Sequence, residues 1–110
     1  MDIPTFTPPL EVAPATFQFG AWVPLPMLGW LPVNSYLVQG TQPVLVDTGM
    51  AHFREDLVRA LAERMDPKDL RWIWITHMDA DHVGNLAALL ALCPRAQVVT
   101  NPLGVAKMDL

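Results

Sequence analysis

Hydrophobic residues alternate or run together in five segments of the chain, and each segment predicts a β-strand. The predicted strands cover residues 15–23, 33–39, 43–47, 71–76 and 97–100, after an extended, proline-rich arm over residues 1–14. Gly40-Thr41-Gln42 joins the second and third strands as a hairpin. Between the first and second strands, four interrupting residues predict a loop: Pro24, Pro26, Gly29 and Pro32.

Apolar residues at helical spacing predict two helices among the later strands. The first spans about residues 52–65 and ends before Pro67, and the second begins near Leu86 and stops at Cys93-Pro94. A hairpin followed by alternating helices and strands predicts an α/β (α+β) fold. We expect a mixed sheet with helices packed on one face.

Composition narrows the class of protein. The 110 residues make one domain or part of one, and 52% hydrophobic residues suffice for a core. A net charge of −4 without a basic cluster argues against a nucleic-acid partner. No apolar run approaches about 18 residues and the N-terminus lacks a basic leader, so we expect no membrane span and a cytoplasmic location. Cys93 is alone, which excludes a disulfide framework.

Four potential metal ligands lie within six positions directly after the strand predicted at residues 71–76. They form the pattern H-x-D-x-D-H and are His77, Asp79, Asp81 and His82. Open α/β sheets bind ligands at the carboxyl ends of their strands, and imidazole and carboxylate groups hold divalent metals. Helix capping needs one aspartate, not two histidines and two aspartates. The sequence therefore predicts a metal site.

Three motifs in order resemble the N-terminal half of the metallo-β-lactamase-fold superfamily, over about residues 33–100. They are Asn34-Ser35-Tyr36-Leu37-Val38, Leu45-Val46-Asp47-Thr48-Gly49 and the segment from Thr76 to Asn85. The resemblance implies the first half of an αββα sandwich. It also implies that His77 and Asp79 bind one metal, that Asp81 and His82 bind a second, and that Asp47 orients these ligands from behind.

Asp79 departs from the common family pattern, which is H-x-H-x-D-H. A carboxylate at this position is similar to the flavodiiron and related oxygen-binding diiron branch, which carries H-x-E-x-D-H. A hard oxygen donor in place of an imidazole shifts the preference from zinc towards iron or manganese. The predicted cofactors are therefore two divalent metal ions, zinc or iron, with iron or manganese favoured by Asp79.

Three functions are compatible with these residues. The main hypothesis is a metal-dependent hydrolase, in which metal-bound water attacks an ester, thioester, amide or phosphodiester and Asp81 helps orient that water. The first alternative is a diiron protein that binds or reduces oxygen or nitric oxide. The second alternative is a non-catalytic, truncated remnant. In the first two cases the substrate is a small molecule, whose identity the sequence does not give.

The resemblance implies further ligands, including later histidines, whereas this chain has no histidine after His82. We therefore expect a fragment that is completed by a C-terminal segment or by self-association. Residues 1–32 are predicted as an arm, strand and loop, and residues 33–110 as an incomplete metallo-β-lactamase-like domain. His52 is predicted to be exposed or to cap a helix, and Trp72 and Trp74 to belong to the core.

Overall fold

A computed structural model describes residues 3–76 and 84–100 of the chain. Within these ranges the helices are α1 (Arg54–Ala62) and α2 (Leu86–Leu92), with short 3-10 turns at Ala51–Phe53 and Pro67–Asp69. Its strands are β1 (Thr5–Phe6), β2 (Leu10–Ala13), β3 (Thr16–Leu25), β4 (Gly29–Val38), β5 (Val44–Val46), β6 (Trp72–Trp74) and β7 (Gln97–Val99).

The described strands form one mixed sheet in the order β1-β3-β4-β5-β6-β7, with β2 also paired to β3. The pairs from β1 to β5 are antiparallel, including the predicted hairpin of β4 and β5. The pairs β5–β6 and β6–β7 are parallel, because α1 and α2 return the chain to the start of the next strand. The predicted α/β fold with a mixed sheet is confirmed.

Both helices pack on the same face of this sheet. Successive strand residues point to opposite faces, and Leu37, Leu45 and Ile73 lie on the covered face with no measurable exposure. The helices contribute Leu57, Leu61 and Leu89 to the same cluster. Crossovers between parallel strands are almost always right-handed, and two of them that advance in one direction across a sheet place their helices on one side.

The loop predicted between Pro24 and Pro32 is wrong, because β3 and β4 form one long hairpin there. Their register runs from Thr16↔Val38 to Leu25↔Gly29. Proline is tolerated where a strand has no second neighbour that needs its missing N–H. β5 pairs only with residues 36–38 of β4, and β1 reaches β3 only at Ala21 and Trp22. Pro24 and Pro32 lie beyond both paired stretches, so neither faces a second strand.

Two further expectations for the sheet need correction. The predicted arm contributes β1 and β2, which pair with β3, and the boundary expected after residue 32 falls inside β4. Trp74 is not a core residue, since 54% of it is exposed. It neighbours the buried Ile73 in β6 and therefore points to the opposite face of the sheet.

The parallel pairing of β5 and β6 brings their carboxyl ends together. Val46 lies opposite Trp74, so the chain leaves β5 at Asp47 beside the place where it leaves β6 at Ile75 and Thr76. The H-x-D-x-D-H segment starts at the next residue. No helix in the described part of the chain is long and apolar enough to cross a membrane.

Replacing Leu45 by alanine should destabilise the fold strongly. Leu45 lies at the centre of β5 with 0% exposure, and the substitution both removes buried methyl groups and leaves a cavity. We expect a loss of about 2–5 kcal/mol in the free energy of unfolding, measured by urea denaturation.

Leu28→Ala is the matched control, because Leu28 is 82% exposed at the turn of the β3–β4 hairpin. Its effect should stay within about 0.5 kcal/mol. Similar losses for both variants would contradict the placement of the core.

Candidate metal centre

The four predicted ligands, His77, Asp79, Asp81 and His82, lie outside the described residues. What the structure describes is the framework on both sides of them, which consists of residues 47–50, Thr76 and residues 84–85. Within residues 3–76 and 84–100, no group of three or more His, Cys, Asp or Glu side chains could hold a metal ion. A metal centre formed by this chain therefore needs residues outside these two ranges, where the four predicted ligands lie.

Asp47 joins the ends of β5 and β6. Its backbone N–H donates to the carbonyl oxygen of Trp74 at 2.8 Å. Its carboxylate accepts two hydrogen bonds from Thr76, from the backbone N–H at 2.8 Å and from the hydroxyl at 2.6 Å. With 5% exposure, this carboxylate is a buried acceptor that fixes the residue directly before His77.

The backbone of Asp47 adopts a left-handed conformation with φ of 62°. A residue with a Cβ atom pays roughly 1–2 kcal/mol there, and aspartate is among the few that adopt it regularly. This turn directs the carboxylate towards Thr76 instead of letting β5 continue. Gly49, two residues later, also has a positive φ of 70°, which suits glycine.

The same turn also holds the far side of the predicted metal segment. The N–H of Gly84 donates to the carbonyl oxygen of Gly49 at 2.9 Å. Asn85, only 1% exposed, adds hydrogen bonds to Thr48 and Met50. Residues 47–50 therefore contact the chain both immediately before and immediately after the segment that carries the predicted ligands.

The remaining candidate side chains lie elsewhere. His52 is exposed in the 3-10 turn before α1, as predicted, and meets the ring of Phe53 edge-on at 4.9 Å between centroids. Cys93 is buried at the C-terminal end of α2, and burial raises the pKa of its thiol above the ordinary value. Thr76 and Asn85 received no role from the sequence, although both lie within the motif that carries the family resemblance.

Comparison with known proteins identifies the family. The model of the metallo-beta-lactamase superfamily matches residues 28–108, which is most of the chain. The chain belongs to this superfamily. The match includes β4, the Asp47 turn and the whole H-x-D-x-D-H segment, so it covers all three motifs that carry the resemblance.

Similar proteins include several oxidoreductases. The chain is 34% identical over 76 residues to rubredoxin-oxygen oxidoreductase of Megalodesulfovibrio gigas, covering 69% of this chain and 19% of that protein. It is 36% identical over 66 residues to a nitric oxide reductase of Moorella thermoacetica, covering 60% and 16%. It is 30% identical over 71 residues to flavo-diiron protein FprA2 of Clostridium acetobutylicum, covering 64% and 18%.

A solved structure supports the same relationship. Rubredoxin oxygen:oxidoreductase from Desulfovibrio gigas superposes with a TM-score of 0.81 at 27% identity, over 93% of this chain and 27% of that one. The chain thus spans less than a fifth of the length of the three curated relatives. These relatives are larger proteins, and the segment they share with this chain is a small part of each.

These relatives correct the main functional hypothesis. The expectation of a hydrolase is wrong, because the similar proteins are named as oxygen and nitric oxide oxidoreductases. Their names favour the alternative that Asp79 had suggested. The expectation of two divalent metal ions agrees with the name of the flavo-diiron relative.

Replacing Asp47 by alanine should destabilise the chain. It leaves the N–H and hydroxyl of Thr76 without this acceptor and places alanine in a left-handed conformation. We expect a loss of about 3 kcal/mol in the free energy of unfolding, measured by urea denaturation. Asp47→Asn should lose less, since it keeps one acceptor oxygen and tolerates the same backbone conformation.

Asp66→Ala provides the control, because Asp66 also accepts a backbone hydrogen bond, from Lys68 at 3.0 Å, but at an exposed turn. That substitution should cost about 1 kcal/mol or less. Equal losses at Asp47 and Asp66 would show that the buried carboxylate does not hold β5 and β6 together.

Proposed function

We propose that this chain carries part of the diiron centre of an oxidoreductase that reduces oxygen or nitric oxide. One observation supports this most directly. The H-x-D-x-D-H segment begins where the buried Asp47 fixes the end of β6, within a region shared with proteins named for these reactions. In this proposal His77 and Asp79 bind one metal, and Asp81 and His82 bind the other.

The donor set suits iron. Two imidazoles and two carboxylates are nitrogen and oxygen ligands of the kind that ferrous and manganous ions accept, and thiolate sulfur is absent from the motif. Asp79 supplies a hard oxygen where the common family pattern has an imidazole. Since four side chains shared by two metals give each only two ligands, the centre also needs ligands from outside this set.

The residues of this chain would mainly bind and orient. Iron, when bound, would provide the site at which the gas molecule binds and is reduced. The imidazoles and carboxylates hold the metals, and the hydrogen bonds from Thr76 to Asp47 fix the chain immediately before the first ligand. Such supporting contacts generally set the orientation of metal ligands.

The proposed reaction also requires electrons and further metal ligands. Electrons for reducing oxygen or nitric oxide would come from another domain or a separate redox protein, and the remaining ligands from further sequence or a partner. The proposed substrate is a small gas molecule, and the proposed location is the cytoplasm. The much greater length of the relatives supports a larger functional unit.

Removing one proposed ligand should remove most of the bound metal. We expect the purified chain, loaded with ferrous ion without oxygen and then desalted, to retain iron by inductively coupled plasma mass spectrometry. Asp81→Ala and His82→Ala should each lower the retained iron at least about tenfold.

His52→Ala is the matched control, because it removes an exposed imidazole next to the same turn while leaving the motif intact. It should retain iron like the unaltered chain. Equal loss of iron in all three variants, or no retained iron in the unaltered chain, would contradict the proposal.

A further inference from the structure

Both the nitrogen and the oxygen of the Asn85 side-chain amide form hydrogen bonds within the protein. Its amide nitrogen donates to the carbonyl oxygens of Thr48 at 2.7 Å and Met50 at 3.0 Å. Its amide oxygen accepts from Nε of Arg54 at 3.2 Å. Its backbone N–H donates to the hydroxyl of Thr48 at 3.2 Å. Both amide hydrogens of this 1% exposed residue are therefore used.

These contacts tie three separate parts of the chain together. Asn85 follows the proposed metal segment and directly precedes α2, Thr48 and Met50 belong to the turn after β5, and Arg54 opens α1. The same turn holds Thr76 through Asp47 on the other side of the segment. The residues before and after the proposed ligands are thus fixed against one short piece of backbone.

We propose that Asn85 is a positioning residue for the metal centre and that Arg54 sets the orientation of its amide. This inference rests on the proposed function. Metal ligands that are held in place before the metal arrives bind it more tightly, because less ordering remains to be done on binding. Asn85 would act through the backbone of residues 48–50 and not by contact with the metal.

The chemistry of the contacts explains why asparagine is needed here. Two acceptors face its nitrogen and one donor faces its oxygen, and only a primary amide satisfies this set. Aspartate would place a carboxylate against two carbonyl oxygens. Alanine would leave the carbonyl groups of Thr48 and Met50 without this donor, and Thr48 is fully buried. The bond from Arg54 prevents the amide from flipping, since a flipped amide would present N–H groups to the guanidinium.

Hydrogen–deuterium exchange on the metal-free chain tests the positioning directly. We expect Asn85→Asp and Asn85→Ala to increase deuterium uptake in the peptide over residues 76–85, with little change over the β3–β4 hairpin. Arg54→Met should show a smaller increase in the same peptide, and Arg54→Lys should restore part of the protection. Unchanged uptake over residues 76–85 in the Asn85 variants would overturn the inference.

The matched control is Arg59→Met, on the same helix as Arg54. Arg59 is exposed, and it forms an ion pair with Asp56 of the same helix at 3.5 Å. It should leave the exchange of residues 76–85 unchanged. Because Arg54 is itself exposed, its variants test the inference even where an Asn85 variant folds poorly.

Titration with cobalt, followed by the visible absorption of the bound ion, tests the consequence for the metal. The Asn85 and Arg54→Met variants should bind cobalt about tenfold or more weakly than the unaltered chain, while Arg59→Met should match it. Equal affinity in all variants would overturn the inference. If the unaltered chain binds no cobalt, the proposed function fails, and the exchange data on the metal-free chain still decide whether Asn85 positions the segment.

Discussion

The rest of this site depends on the hydrogen bonds between the buried carboxylate of Asp47 and Thr76. The carboxylate stands at the junction of β5 and β6, where two parallel strands end side by side, and it accepts two hydrogen bonds from Thr76. Parallel strands cannot be joined by a short turn, so only non-covalent contacts hold these two carboxyl ends side by side. A buried carboxylate is stable only when its hydrogen bonds are formed. The hydrogen bonds between Asp47 and Thr76 therefore fix how β5 and β6 are aligned at their carboxyl ends.

Much of the fold follows from pattern because one face of the sheet is covered. Leu37, Leu45 and Ile73 lie on that face, and the apolar segments that contain them identify β4, β5 and β6 from sequence. The helices are predictable for the same reason, since α1 buries Leu57 and Leu61 at helical spacing. The chain order of hairpin, helix and strand then leaves few possible connections.

Strands over residues 15–23 and 33–39 were predicted, but the continuation of β3 and β4 into one long hairpin was not. Proline normally indicates a loop, but Pro24 and Pro32 lie where their strands lack a second partner. Trp74 was misplaced because a run of three apolar residues does not reveal which face is covered. At the site, the motif identified candidate ligands, whereas the roles of Thr76 and Asn85 require knowledge of which backbone groups they meet in space.

Three of the contacts around the proposed metal segment end on main-chain carbonyl oxygens, those of Thr48, Gly49 and Met50. Every residue type carries such an oxygen, so these contacts place no demand on the side chain of Met50. In the hydrogen bonds to Thr48 and Met50, only the donor Asn85 must be a particular residue type. A substitution at Met50 consequently needs no compensating change at Asn85, and this structural coupling would leave little trace as correlated substitution between the two positions.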